Sequence, residues 1–181
     1  MKRAAIVIIL ILAGGVAAGA EFLGVRRNLA AQRAAIDEQW EELSAAFDHR
    51  AELVGNLAAL IGTAGGSEDR APADASAASG SLLAAPSPEA KIEANSRLMN
   101  ALARLYLIAD QHAKLTETAA YRKLDEEIGN AESRVAVERR KYNDLLEHYN
   151  AQLQRFPVNI VAGLSGLRRI DAYVRTEQDL R

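Results

Sequence analysis

From Leu29 to Ile61 the side chains that favour burial recur by alternating threes and fours. Leu29, Ile36, Trp40, Leu43, Phe47, Val54, Leu57 and Ile61 form the series, and Arg33 and Arg50 complete it. That spacing puts one residue per turn on a single stripe, the mark of a helix packed along its length. The pattern returns in Ile92, Asn95, Met99, Leu102, Tyr106, Ala109 and Ala113, with Leu98, Leu105 and Ile108 widening the face. It runs furthest through Tyr121, Leu124, Ile128, Ala131, Val135, Glu138, Tyr142, Leu145, Tyr149, Gln152 and Phe156, before Pro157 stops the helix. Three long stripes of similar reach bury themselves against one another, which predicts an all-α fold built as an antiparallel, up-down bundle. Beyond Pro157, Ile160, Leu164, Leu167 and Val174 allow a short carboxyl-terminal helix folded back on the bundle.

The second long helix has an explicit start. Ser87 can cap free backbone amides, Pro88 suits the first helical position, and Glu89 suits the positive helix end. Between the first two helices the periodicity fails. Gly65-Gly66, the small and polar residues from Ser67 to Ser79, then Gly80, Pro86 and Pro88 predict a flexible linker over residues 62–88. A short helix starting at Ser67 would have to take in Pro72.

The first residues follow another rule. Lys2 and Arg3 precede a run from Ala4 to Ala20 without charge, in which Ile6 to Leu12 are all Ile, Val or Leu. A helix of that length spans about 25 Å, and extension to Val25 brings it to about 33 Å, enough for a hydrocarbon core of roughly 30 Å. Residues 4–25 are therefore expected to cross the bilayer as a transmembrane helix, with Glu21 at the far interface. This divides the chain into an anchor, residues 1–25, and a helical bundle, residues 26–181. Ala18-Gly19-Ala20 has the small-x-small form of a signal-peptide cleavage site, so a cleaved, secreted chain is the competing reading. A buried core helix is the third, but Gly14, Gly15 and Gly19 and an all-round apolar surface fit it poorly. Lys2 and Arg3 nearly balance Arg26, Arg27 and Arg33 in the positive-inside rule. The signal-like start favours a bundle on the extracytoplasmic side.

Composition narrows the function. The 22 Lys+Arg against 24 Asp+Glu give a formal net charge of -2, without the basic excess that drives phosphate binding, so no nucleic-acid partner is expected. The chain has no cysteine, which excludes disulfides, thiol catalysis and Cys-zinc sites. His49, His112 and His148 form no H-E-x-x-H array. Gly163-Leu164-Ser165-Gly166 is neither a nucleophile elbow nor a phosphate loop. The pairs Glu41-Glu42 and Glu126-Glu127 are sequence neighbours and point to different parts of a helix surface. No enzyme, cofactor or metal is expected.

Two stretches resemble the LemA family of membrane-anchored bacterial proteins. One joins Asn28-Leu29, Ile36-Asp37-Glu38-Gln39-Trp40, Arg50-Ala51-Glu52-Leu53-Val54 and Asn56-Leu57. The other runs from Glu132-Ser133-Arg134-Val135 through Tyr142-Asn143-Asp144 and Tyr149-Asn150 to Phe156-Pro157-Val158-Asn159-Ile160. The resemblance implies an amino-terminal transmembrane helix and an antiparallel helical bundle, and implies no catalytic activity. It also marks departures. Gly55 stands where the family has proline, and His112-Ala113 where it often has Tyr-Pro, which implies a smoother junction before the third helix. The stretch from Gly62 to Pro88 stands where the family has a leucine-richer helix.

Charge on the inner stripes supplies the candidate site. A lone buried charge is costly, so Arg50 should pair with a carboxylate of the third helix, Glu138 by stripe position or Glu132 by the family resemblance. The plainer alternative is that these side chains snorkel to water. Tyr142 and Tyr149 lie seven apart, each followed by an asparagine, Asn143 and Asn150. They read either as a polar ladder that recognises a partner strand or helix, or as tyrosines filling the core while asparagines bond across helices. Arg139-Arg140-Lys141 and Arg168-Arg169 are solvated faces, or contacts to anionic headgroups if they lie near a membrane. Together these features lead us to expect a membrane-tethered scaffold or adaptor with a protein partner, homo-oligomerisation staying open. A sensor with a peptide or small-ligand groove is the alternative.

Overall fold

The computed structural model describes the backbone of residues 2–64 and 70–174, and the side chains of these except 2–14, 16–18 and 64. Among the described residues six helices follow one another: α1 (Lys2–Ala64), α2 (Ala71–Leu83), α3 (Pro88–Asp110), α4 (Ala113–Thr116), α5 (Ala119–Leu153) and α6 (Val158–Leu164). Among the described residues there is no strand. The chain forms two compact units, one of Met1–Glu38 with Asp144–Asp171 and the other of Gln39–Asn143 with Ala172–Arg181.

In the second unit four helical segments run up and down. Gln39 Nε2 of α1 donates to Glu138 of α5 at 2.7 Å, and Arg134 of α5 lies 3.7 Å from Glu42 of α1, so these two run antiparallel. Arg50 bonds to Asn95, while Lys91 reaches Asp48 at 2.8 Å, which sets α3 parallel to α1. Leu43, Phe47, Val54, Leu57 and Ile61 are buried as the stripe requires, and so are Leu98, Leu102, Leu105 and Ile128. Such burial is the main favourable term in folding, about 1.5–3 kcal/mol for each large apolar side chain. The stripe of α3 is met in part. Leu102 and Ala109 are buried, together with Leu98 and Leu105 beside them. Lys91, Ala94 and Ala101 extend the buried face by one residue, and Ile92, Asn95, Met99 and Tyr106 sit at its edge. A helix wedged between α1 and α2 buries the face midway between them.

The expected linker over residues 62–88 is corrected. Gly62 to Ala64 complete α1, residues 65–69 lie outside the described residues, and Ala71–Leu83 is a helix with Pro72 in its first turn. Its buried stripe is Ala71, Ala75, Ser79 and Leu82, helical in spacing but made of small residues. Small residues allow α2 to lie close against α1. A Cβ on Gly55 would come within 3.3 Å of Ser79 Oγ, and one on Gly62 within 3.5 Å of Pro72. Ser79 Oγ also donates to the carbonyl of Ala51 at 2.7 Å.

The expected start of α3 holds: Ser87 Oγ accepts from Ala90 N at 3.2 Å, with Pro88 next. The junction before α5 is not smooth. The turn α4 intervenes, and Thr118 caps α5 by accepting from Tyr121 N at 3.2 Å.

In the first unit Gln32 Nε2 donates to Gln152 Oε1 at 3.1 Å, and Leu29, Ile36, Leu146 and Tyr149 are buried. The long stripe of α5 ends earlier than expected, at Leu153, and Phe156 is 81% exposed. The helix α6 forms, but Val161 and Ala162 are its buried residues, whereas Ile160 and Leu164 face out. Among the described residues no helix is long and apolar enough to cross a membrane. The transmembrane segment expected over residues 4–25 falls largely on residues 4–14 and 16–18, whose side chains lie outside the described residues.

Gly55 and Gly62 should respond differently to substitution. Gly62→Ala has room and is expected to stabilise by up to about 1 kcal/mol, the helix-propensity difference between glycine and alanine. Gly55→Leu must push Ser79 away and is expected to cost roughly 1–3 kcal/mol, typical of overpacking. Denaturant unfolding of the full chain measures both, and equal responses at the two positions would contradict the close α1–α2 contact.

Candidate functional site

The four residues of the Tyr-Asn repeat divide by role. Tyr142 and Tyr149 are buried, at 3% and 1% exposure, and belong to the core. Tyr142 packs on Trp40 with ring centroids 5.4 Å apart. Tyr149 donates from its hydroxyl to the carbonyl of Arg168 at 3.3 Å, and burial raises its pKa. The asparagines do something more specific. Asn150 Nδ2 donates to the carbonyl of Ile170 at 2.7 Å, and Asn150 Oδ1 accepts from Ile170 N at 3.0 Å. Asn143 repeats this pairing with Val174, at 2.8 Å and 3.0 Å. A carboxamide presents one donor and one acceptor side by side, as a backbone residue does. Each asparagine therefore pairs with a backbone residue as a neighbouring strand would, and the segment it holds is the non-helical one that follows α6.

The chain reaches these asparagines by a turn at the end of α6. Gly166 has φ of +70°, a conformation that glycine adopts without steric cost. Leu167 N then bonds back to the carbonyl of Ala162 at 3.0 Å, closing the helix end. From there the chain follows α5. Val174 is 1% exposed, and Arg169 pairs with Asp171 at 2.6 Å. The two asparagines thus hold a segment of this same chain.

Arg50 is 4% exposed. Its guanidinium bonds to Asn95 Oδ1 and lies 5.7 Å from the Phe47 ring centroid, while its Nε has no hydrogen-bond partner among the described residues. Burial lowers its pKa to about 10, opposed by the nearby charge of Glu132. The expected carboxylate partner of Arg50 is thus replaced by the neutral amide of Asn95, with Glu132 acting only through its charge. Glu138 lies elsewhere on the stripe. It accepts from Gln39 at 2.7 Å and from Lys141 at 3.0 Å, and these bonds hold its carboxyl below the ordinary range.

Lys91 was missed by the stripe reading. It is 9% exposed, and its Nζ donates to Asp48 at 2.8 Å and to Ser44 Oγ at 2.7 Å. Its position one residue before Ile92 was the available signal, since Lys91, Ala94 and Leu98 are themselves in helical register. The histidines are not brought together. His112 Nδ1 donates to Ile108 O at 2.9 Å, His148 Nε2 lies 2.8 Å from Gln152 Nε2, and His49 lines a shallow hollow with Glu127, Asn130, Ala131 and Arg134. Among the described residues no group of three or more His, Cys, Asp or Glu is placed to hold a metal.

These features define an all-helical protein with a clamped carboxyl-terminal segment and polar groups paired inside its helix seams. The sequence profile of the LemA family matches residues 39–181, and the chain belongs to that family. It is also similar to magnetosome protein MamQ 1 and magnetosome protein MamQ 2 of Paramagnetospirillum magneticum, at 27% identity over 74 residues in each case. The aligned stretch covers 41% of this chain and 27% of either relative.

Substitution of Asn150 tests the clamp. Asn150→Ala removes two bonds and leaves the Ile170 backbone unpaired, with an expected cost of about 1–3 kcal/mol. Asn150→Asp should be no milder, because a carboxylate cannot donate to the Ile170 carbonyl. Unfolding stability and hydrogen exchange of residues 166–174 report both effects, and wild-type values for either substitution would show that the side chain does not hold the segment.

Proposed function

We propose that this LemA-family protein is a membrane-tethered helical scaffold that acts through protein contacts. Residues 4–25 cross the bilayer once, and the helical units stand on the extracytoplasmic side of the cell membrane. The observation that carries this reading is the continuity of α1. The uncharged run from Ala4 to Ala20 and the packed stripe from Leu29 to Ile61 lie on one helix, Lys2–Ala64. An apolar run of that kind needs hydrocarbon around it, and the same helix continues into the first unit. Similarity to two proteins named for the magnetosome supports association with a cellular body.

A second reading, a sensor that takes a small ligand, rests on the open hollow lined by His49, Glu127, Asn130, Ala131 and Arg134. The scaffold reading is preferred, because the polar groups of the core are committed to holding helices and the carboxyl-terminal segment together.

Membrane fractionation with crosslinking tests the proposal. The full chain should pellet after carbonate extraction with its first residues intact, and crosslinking should capture one protein partner in fixed proportion. A mature chain that begins at Glu21 and is released to the soluble fraction would remove the tether. Saturable stabilisation by a small molecule, with no captured protein, would replace the scaffold by the sensor.

A further inference from the structure

The end of the first unit leaves large apolar side chains uncovered. Phe156, Leu164 and Ile160 are 81%, 75% and 52% exposed. Ile160 and Leu164 lie four apart in α6 and share a face, while Val161 and Ala162 fill the opposite face against the unit. The helix, Val158–Leu164, contains no charged residue and is apolar on both sides. A helix that keeps an apolar face turned outward marks a surface made for a second contact.

Its place in the unit says what that contact is. Gln152 lies beside Gln32, and Tyr149 senses the charges of Arg33 and Asp37, so α5 descends along α1 toward lower residue numbers. The turn after Leu153 therefore comes level with the part of α1 just before Leu29, which is fully buried. From there α1 continues into the uncharged run that ends at Ala20. The span proposed above ends at Val25, so Arg26 and Arg27 follow within about 3 Å along the helix, inside the roughly 5–8 Å of headgroup on that side of the hydrocarbon. Arg26, Arg27 and Arg155 are exposed at this same end of the unit, where anionic headgroups would attract them.

We propose that α6 and the turn before it form a second membrane contact. Phe156, Ile160 and Leu164 enter the boundary between headgroups and acyl chains, and Arg26, Arg27 and Arg155 meet lipid phosphates. This rests on the tether proposed above. Its consequence is that the first unit lies against the bilayer and does not swing freely on its anchor.

The chain has no cysteine, so one introduced thiol reports one position. Ile160→Cys in the full chain would carry an environment-sensitive fluorophore, in vesicles of phosphatidylcholine with and without phosphatidylglycerol. The expected result is blue-shifted emission, severalfold stronger quenching by shallow spin-labelled lipid than at a Glu126→Cys control, and an increase with phosphatidylglycerol. Phe156→Asp together with Leu164→Asp should abolish the quenching while the helical circular dichroism is kept. Water-like, unquenched emission from a chain that still resists carbonate overturns the second contact and leaves the tether standing. A blue shift that grows with protein concentration, without lipid quenching, means that a second copy covers α6 and also overturns it. Loss of the chain from the vesicles removes the tether, and this inference with it.

Discussion

The buried stripe of α1 is the constraint on which the other elements depend. Leu29, Ile36, Leu43, Phe47, Val54, Leu57 and Ile61 are each no more than 2% exposed, and no single helix can shield its own stripe. In one unit the end of α5, α6 and the segment after it supply the cover. In the other, α2, α3 and the first part of α5 do so. Polar residues caught along these seams are then obliged to find partners. Arg50 takes Asn95, Lys91 takes Asp48 and Ser44, and Asn150 takes the backbone of Ile170. One of these contacts is an ion pair, Lys91 with Asp48, and the others join a charged or neutral group to a neutral one, in a partly dry interior where an unpaired group would cost about 1–3 kcal/mol.

What was legible in the sequence follows from side-chain size. The stripes of α1 and α5 are written in Leu, Ile, Phe and Tyr, and the burial follows them. The α2 stripe is written in Ala71, Ala75 and Ser79, which carry little hydrophobic signal, so the segment read as a linker. Its helical spacing was present, but its partner surface is glycine, at Gly55 and Gly62, and contacts between small residues leave no mark in a periodicity of large ones. On α3 the buried face is broader than the expected stripe, reaching from Leu102 and Ala109 to Lys91, Ala94 and Ala101, because a helix wedged between two others is covered from both sides.

The candidate site was legible in its members and not in its geometry. The seven-residue interval of Tyr142-Asn143 and Tyr149-Asn150 marked a ladder, but what it held could not be read from α5 alone. Residues 165–174 carry no strong local pattern, and their extended course depends on the positive φ of Gly166 and on the waiting carboxamides. Likewise the resemblance to the LemA family pointed to the bundle, while the exposure of Phe156, Ile160 and Leu164 emerged only when α6 turned its smaller residues inward. Structure thus reassigns those three from expected core to surface.

The central claim is that the seam between α1 and α5 closes within one chain. Gln39 and Glu138 are its most direct witnesses, in contact at 2.7 Å and both reachable from solvent. Introducing Gln39→Cys and Glu138→Cys together and treating the full chain with a short bis-maleimide tests this, because no other thiol competes. The account predicts rapid crosslinking that leaves the chain at the mass of one protomer, at any protein concentration. Crosslinks that appear only between chains, or none at all, would contradict it.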